Sequence, residues 1–357
     1  MGLFSSESKD LMAIDISSTG IKLIELSHSR AGYALKSFAI VPLPRDAIVE
    51  NMIIDSMAVS QGLIDALEQA KPSTRQVALA VSGNAVIIKN ISLPTMTEFM
   101  LEAEIDVEAD QHVPYDIDEV YLDFQILGEQ EDEPGQMDVV LAACKREIVD
   151  DYQLVLSEAG LTTKCVDCSV FALENASEMM GAIPTASKDV ADGESDQAVG
   201  LINIGANLIN VNIIKNGKMA FVRDQFYGGQ NLTEEIQKEH NISYQAAETM
   251  KKERFHEVSP EAIDRFYVGL TSEIVRSLDF YAANHGDHPV QHLSISGGCA
   301  LIPDIAVEIE QRLGISASVV NPFDHIKVNK RKFDVEYLMQ IGSMMVVPIG
   351  LALRGFD

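Results

Sequence analysis

The sequence predicts an α/β protein of two related lobes, each opened by the same strand–turn–strand unit. Residues 12–26 set β-branched and apolar runs on either side of the polar turn Ser17–Gly20. The same grammar returns at 200–214, where Asn203 stands 188 residues after Asp15, Gly205 after Ser17 and Ala206 after Ser18. That offset is half the chain, which marks a duplication rather than a chance hairpin. Length agrees, because 357 residues exceed one ordinary core and suit two comparable lobes. A third unit, Ser294 to Pro303, sets Gly297-Gly298 between a strand and a helix of the second half.

Hydrophobic residues at 46%, with aromatics at 6%, describe a globular chain. The 54 acidic residues outweigh 27 basic ones to give a formal charge of −27, which disfavours nucleic acid and anionic lipid as partners. Lys327, Lys330, Arg331 and Lys332 are the one basic run, read as a solvated turn. No apolar run approaches the ~20 residues of a membrane-spanning helix. Residues 1–10 lack the order of a secretion signal, and the match of residues 1–6 to a myristoylation pattern is read as coincidence. The four cysteines then point to a reducing compartment. Cys165 and Cys168 form a C-x-x-C, but zinc would need a second ligand pair, so small thiols at a strand end are expected.

Element by element, a helix is expected over Met52–Ala70 and a strand over Gln76–Val81. Thr97 caps a helix that buries Phe99, Ala103 and Val107, stops at Pro114, and turns Glu98, Glu102, Glu104, Asp106, Glu108 and Asp110 to water. Residues 129–135 read as a loop, Asp138–Ala143 as a strand and Glu147–Ala159 as a helix. The acidic, aperiodic stretch 184–196 reads as a flexible connection. Beyond it, helices are expected over Asn231–Glu239, Tyr244–Lys252 and from Pro260 onward, the last with a stripe through Ile263, Tyr267, Leu270, Ile274, Leu278 and Tyr281. Val290–Ile295 reads as a strand and Asp304–Leu313 as a helix.

A phosphate chain is held by backbone N–H groups in tight turns, which require small residues. Ser17, Ser18, Thr19 and Gly20 supply one such turn, Gly205 and Ala206 a second. Asp15 ends its strand where a carboxylate could hold the water shell of Mg2+. The Gly297-Gly298 turn brings backbone close to a flat or anionic ligand. Three such elements in this order point to a nucleotide site.

The ordered set resembles the actin, Hsp70 and sugar-kinase superfamily, whose fold is a duplicated RNase H-like unit. Within it the chain is similar to the PilM family of type IV pilus assembly over nearly its whole length. The matching segments are residues 14–19, Glu108–Tyr115, Leu141–Glu147, Gly228–Ile236, Asn321–Phe323 and Gly350–Arg354. The resemblance implies an actin-like two-lobe fold with the inserted subdomain shared by FtsA and PilM. Its expected boundaries are 10–83, 163–185 and 338–357 for the first lobe core, 84–162 for the insertion, 197–226 and 286–337 for the second lobe core, and 227–285 for its helical subdomain.

It further implies ATP and Mg2+ in the interlobe cleft. Ser18, Thr19 and Lys22 would meet phosphates, with Ser17 and Gly20 completing their turn. Gly205, Ala206 and Asn207 would face the phosphates from the other lobe, while Gly297, Gly298 and Ala300 would meet the adenosine. Asp15 would organise Mg2+ through water, with Asn203 a weaker contributor. Glu248 and Lys251, in a segment resembling the superfamily's A-E-x-x-K helix, would flank the base or ribose. No catalytic residue is assigned. The superfamily expects Asp at 203 and hydroxyls in the second turn, whereas this chain has Asn203, Asn207, Ile209 and Asn210. Asparagine keeps hydrogen bonds but removes the charge and cannot act as a general base, so hydrolysis should be weak or absent.

The implied partners are the cytoplasmic N-terminal peptide of the membrane protein PilN and other pilus platform proteins. The implied location is cytoplasmic, peripheral to the inner membrane through a partner, with a homo-oligomer left open. The rival readings are a small-molecule kinase, which Asn203 disfavours, and an FtsA-like filament former. The latter is ranked lowest because the sequence ends without a basic amphipathic tail.

Overall fold

A computed structural model describes residues 11–83, 86–130, 133–183, 198–285 and 289–356. The myristoylation-like start and the connection expected at 184–196 lie outside the described residues. In chain order, β1 (Met12–Ser17), β2 (Gly20–Ser29), β3 (Gly32–Pro42), the short hairpin β4 (Ile48–Val49) and β5 (Met52–Ile53), α1 (Ser56–Ala70) and β6 (Gln76–Val81) open the first lobe. There follow β7 (Val86–Pro94), α2 (Glu98–Asp110), β8 (Val120–Glu129) and β9 (Gln136–Lys145), then α3 (Arg146–Glu158), β10 (Thr162–Cys168) and α4 (Ser169–Met179). The second half supplies β11 (Ala198–Ile204), β12 (Ile209–Lys215), β13 (Lys218–Gln225), α5 (Gly229–His240), α6 (Tyr244–Glu253), α7 (Pro260–His285), β14 (Val290–Ser296), α8 (Ile305–Leu313) and β15 (Ser316–Val319). Finally α9 (Val335–Ile341) and α10 (Val346–Leu353) close the described chain.

The two large sheets have one topology. The first runs β3-β2-β1-β6-β10 and the second β13-β12-β11-β14-β15. In each, the first three strands are antiparallel and the last two join in parallel. The half-chain repeat is therefore a repeat of whole sheets, as the actin-like reading requires. Between the sheets lie α4 and α10, where Ala172, Leu173, Ala176 and Val346 share a buried cluster with Ala13 and Ile24 of one sheet and Leu201 and Ile214 of the other. α1 and α3 cover the outer face of the first sheet through Leu63, Leu67, Tyr152 and Val155. α5 to α8 cover the outer face of the second through Leu232, Met250, Phe266, Leu270 and Ile305.

Several expectations need correction. The first helix begins at Ser56 rather than Met52, because Glu50 and Asn51 take positive φ, turning β4 into β5, and Asp55 caps the Ala58 N–H. Thr97 caps α2 as expected, accepting from the Met100 N–H, but the buried face is Leu101, Ile105 and Ala109. Phe99 and Val107 are 82% and 69% exposed. The residues at i, i+4 and i+8 meet the three-stranded sheet β7-β9-β8 and leave a second apolar stripe outward. The expected insertion 84–162 also includes α3, whose Ile148, Val149 and Tyr152 pack in the first lobe's cluster. Lastly, Val335–Leu353 is long and apolar enough to span a membrane, contrary to the reading of the sequence, yet 67% of its apolar window is buried inside the protein.

Candidate functional site

In the first lobe the turn is short. Ser17 pairs with Gly20 across it, and the Ser17 hydroxyl donates to the Gly20 carbonyl at 3.0 Å. Two residues further from the tip, Asp15 stands opposite Lys22 on the neighbouring strand, and Lys22 Nζ lies 2.6 Å from Asp15 Oδ2. The pair is mostly buried, with side chains 12% and 16% exposed, so it is a fixed ion pair below the turn rather than a surface bridge. Ser18 is half-buried and Thr19 exposed at the tip.

The second lobe repeats this hairpin with other chemistry. Asn203 stands opposite Asn210, the rung that corresponds by the half-chain offset to Asp15 and Lys22, and Asn203 Nδ2 donates to Asn210 Oδ1 at 2.8 Å. The turn closes by Gly205 N–H on the Leu208 carbonyl at 2.8 Å. Its outer carbonyls are taken by the start of α5, where Gly229 N–H donates to Gly205 at 3.0 Å and Gln230 N–H to Ala206 at 2.8 Å. A Cβ on Gly228 would come within 2.5 Å of the Gly205 oxygen, so only glycine allows this seat.

Gly297, at φ +90°, lies against Ile204 and Asn203 and completes the lobe's floor, while nothing lies within 4 Å of a Cβ built on Gly298. Ala300 follows in a 3₁₀ turn, its N–H on the Gly297 carbonyl at 3.2 Å. Cys299, buried and with its thiol pushed up to about 12 by burial, rests on the Gly205 carbonyl at 3.1 Å. A thiol so held is not a nucleophile at neutral pH.

Glu248 and Lys251 reach the same place but are already engaged. Lys251 Nζ donates to the Gly229 carbonyl at 2.8 Å, to Thr233 Oγ1 at 2.6 Å and to Glu248. Burial pushes the Glu248 carboxyl up, but Lys251, Thr233 and Lys252 outweigh it and hold it below the usual range. The pair braces α6 to α5 beside the second turn. Asn203 is also engaged at both ends, its Nδ2 donating to Asn210 and its Oδ1 accepting from Ser296 at 3.4 Å.

Two residues, Asp224 and Gly83, escaped the sequence reading. Asn210 Nδ2 donates to Asp224 Oδ1 at 2.7 Å, and the N–H of Gly83, in the first lobe, donates to Asp224 Oδ2 at 2.7 Å. Burial pushes the Asp224 carboxyl up, against the pull of these two donors. Asp224 and Gly83 line a cleft of about 280 Å³ with Ser82, Ser169 and Arg223, where the two lobes meet the insertion.

Nearby, burial raises Glu174 of α4 to about 7 despite its contact with Asn212. The folded state therefore binds this proton more tightly than the unfolded chain, and stability falls as pH rises from about 4.5 to about 7. Glu174→Gln should abolish that fall and gain on the order of 2 kcal/mol at pH 8. Urea unfolding at pH 5 and pH 8 checks it; an equal change at both values would refute it.

The two turns suit a nucleotide on two counts. Asn207 Oδ1 is buried at the second turn without a partner, and the space over Gly298 is open. Among the described residues no group of three or more His, Cys, Asp or Glu could hold a metal, so an ion here would lean on Asp15, water and phosphate oxygens.

Residues 13–356 match the family described as type IV pilus assembly protein PilM. A solved PilM–PilN type IV pilus biogenesis complex is similar at 28% identity, TM-score 0.84, over 98% of this chain and 99% of that one. The ethanolamine utilization protein EutJ of Carboxydothermus hydrogenoformans follows at 15% identity and TM-score 0.54, covering 96% and 88%. MreB5 of Spiroplasma citri bound to AMPPNP matches at 14% identity and TM-score 0.50, covering 96% and 95%. The last two likenesses show the actin-like fold.

Proposed function

The chain belongs to the PilM family of type IV pilus assembly proteins, and from that membership we propose a cytoplasmic scaffold of the inner-membrane assembly platform that binds the N-terminal tail of PilN and holds ATP with Mg2+ between its lobes. The observation that carries the tail reading is the match, along almost all of both chains, to a structure described as a PilM–PilN complex. Other platform proteins would join through the same scaffold, and association with the membrane would be indirect. The working boundaries remain two lobe cores, a helical subdomain over 227–285 and an insertion, the last drawn in to 86–145 because α3 packs on the first lobe.

The nucleotide would be held from both sides. Ser17, Ser18, Thr19, Gly20 and Lys22 offer the first phosphate turn, Gly205, Ala206 and Asn207 the second, and Gly297, Gly298 and Ala300 the adenosine seat. Asp15 would orient Mg2+ through water. Glu248 and Lys251 would shape the base side as a brace rather than by free contacts, since both are engaged with Thr233. Bound Mg-ATP would supply charge and contacts that draw the lobes together. On the second lobe the rung facing the cleft is Asn203–Asn210, with no carboxylate to take a proton from water, so turnover should be weak or absent.

Isothermal titration of the purified chain with a peptide of the PilN N-terminal tail, with and without Mg-ATP, tests both halves. Saturable peptide binding is expected; no heat under either condition would sink the scaffold reading. Mass measurement of small molecules released on denaturation should find ATP or ADP.

A further inference from the structure

Four adjacent strands of the second sheet carry one row of polar side chains at a single level. Ser296 of β14 stands opposite Asn203 of β11, Asn203 opposite Asn210 of β12, and Asn210 opposite Asp224 of β13. Every hydrogen bond in the row points the same way. The Ser296 hydroxyl donates to Asn203 Oδ1 at 3.4 Å, Asn203 Nδ2 to Asn210 Oδ1 at 2.8 Å, and Asn210 Nδ2 to Asp224 Oδ1 at 2.7 Å. The row ends outside the sheet, because the other carboxylate oxygen of Asp224 takes the Gly83 N–H of the opposite lobe at 2.7 Å. Asp224 is the acceptor to which the whole chain of donors leads.

Both ends of the row sit where movement matters. Asn203 lies directly below the second turn and touches Gly297. Gly83 lies between β6 and β7, on one of the two strands of chain that enter the insertion. Its neighbour Ser82 is held on the first-lobe side, where Asn51 Nδ2 donates to the Ser82 carbonyl at 2.8 Å. β7 is in turn tied to the second lobe by Asn90 Nδ2 on the Met219 carbonyl at 2.9 Å.

Turning the amides over would give the row a second arrangement. If the Asn203 amide turns over, Asn210 must turn with it to stay paired, and then Asn210 presents Oδ1 rather than Nδ2 to Asp224. Two acceptors cannot share that contact, so Asp224 must move, and the Gly83 contact goes with it. A buried row of this kind acts as one unit, since each bond polarises the next.

We infer that the row from Ser296 to Asp224 is the element through which the second phosphate turn sets the interlobe contact at Gly83 and, with it, the seating of the insertion. That the turn answers to a nucleotide rests on the proposed function; the coupling itself does not. The row also accounts for asparagine at 203, because an aspartate there could not donate to Asn210 Oδ1 and would place a second carboxylate in the same row as Asp224.

Amide hydrogen exchange at Gly83, on the full chain without nucleotide, tests the coupling. Asn203→Asp and Asn203→Ala should both speed exchange at Gly83 roughly tenfold, the loss of about one charged hydrogen bond. Amides inside β11 and β14 should keep their protection, which separates the effect from unfolding. Asn212→Ala, on the neighbouring strand β12 and buried but outside the row, should leave Gly83 unchanged. Exchange at Gly83 within twofold of wild type in both Asn203 variants would overturn the inference, as would an equal rise in Asn212→Ala. Because no nucleotide is added, a cleft that binds none would fail the proposed function without altering this result.

Discussion

Gly350→Ala should leave little folded protein. α10 crosses α4 so closely that a Cβ at 350 would overlap the Ala172 carbonyl oxygen. The obstacle is backbone, not a side chain that can swing aside. All eight residues of α10 are buried, so the helix has no direction in which to retreat. The crossing lies in the layer shared by both sheets, and a shift there disturbs Ala13 and Ile24 on one side and Leu201 and Ile214 on the other. We expect a loss of about 3 to 5 kcal/mol, enough to exhaust much of the stability of an ordinary fold. Gly298→Ala is the matched control, because its Cβ would meet nothing within 4 Å. Thermal unfolding of the two variants decides the matter; a Gly350→Ala protein that melts within a few degrees of wild type would refute the account.

The second large effect concerns ligand rather than stability. Lys22→Met should lower nucleotide affinity by about two orders of magnitude. Lys22 is the cation of the first turn's rung, and it neutralises Asp15 at 2.6 Å. Its loss would take away a charged donor and leave the Asp15 carboxylate unneutralised beside any phosphate held at this turn. Asp15→Asn should behave differently, keeping the donor while weakening the dependence on Mg2+. Titration of ATP with and without Mg2+ separates them. Wild-type affinity in Lys22→Met would remove the first turn from the site.

Much of the fold could be read from the sequence because the repeat is written in turn chemistry and strand polarity, which are local. The pairing of Asp15 with Asn203 extends to Lys22 with Asn210, and the sheets carry it through to the same strand order. What stayed hidden depends on register. The β12–β13 hairpin turns at Asn216-Gly217, and counting evenly back from Lys215 opposite Lys218 would set Arg223 against Asn210. A bulge between Ile213 and Ile214 shifts the register by one and brings Asp224 there instead. One residue exchanges a cation for an anion at the end of the row, and no periodicity announces it.

α2 misled for a different reason. It is apolar on two opposite faces, and only the position of the β7-β9-β8 sheet decides that Leu101 is buried and Phe99 is not. Glu248 and Lys251 were singled out by the resemblance of their segment to a motif, yet their engagement with Thr233 and Gly229 is a matter of how α5 and α6 meet, which spacing along the chain does not reveal.

The shared rung of the two hairpins has an evolutionary consequence. Codons for asparagine and aspartate differ by a single base, so a carboxylate at 203 is one mutation away. Asp224 makes that change costly, since the new carboxylate could not donate to Asn210 and would add a second negative charge to the same row. A carboxylate at 203 would therefore require a second, compensating change elsewhere in the row. The uncharged rung of the second lobe is thus held in that state by its own neighbours in the row.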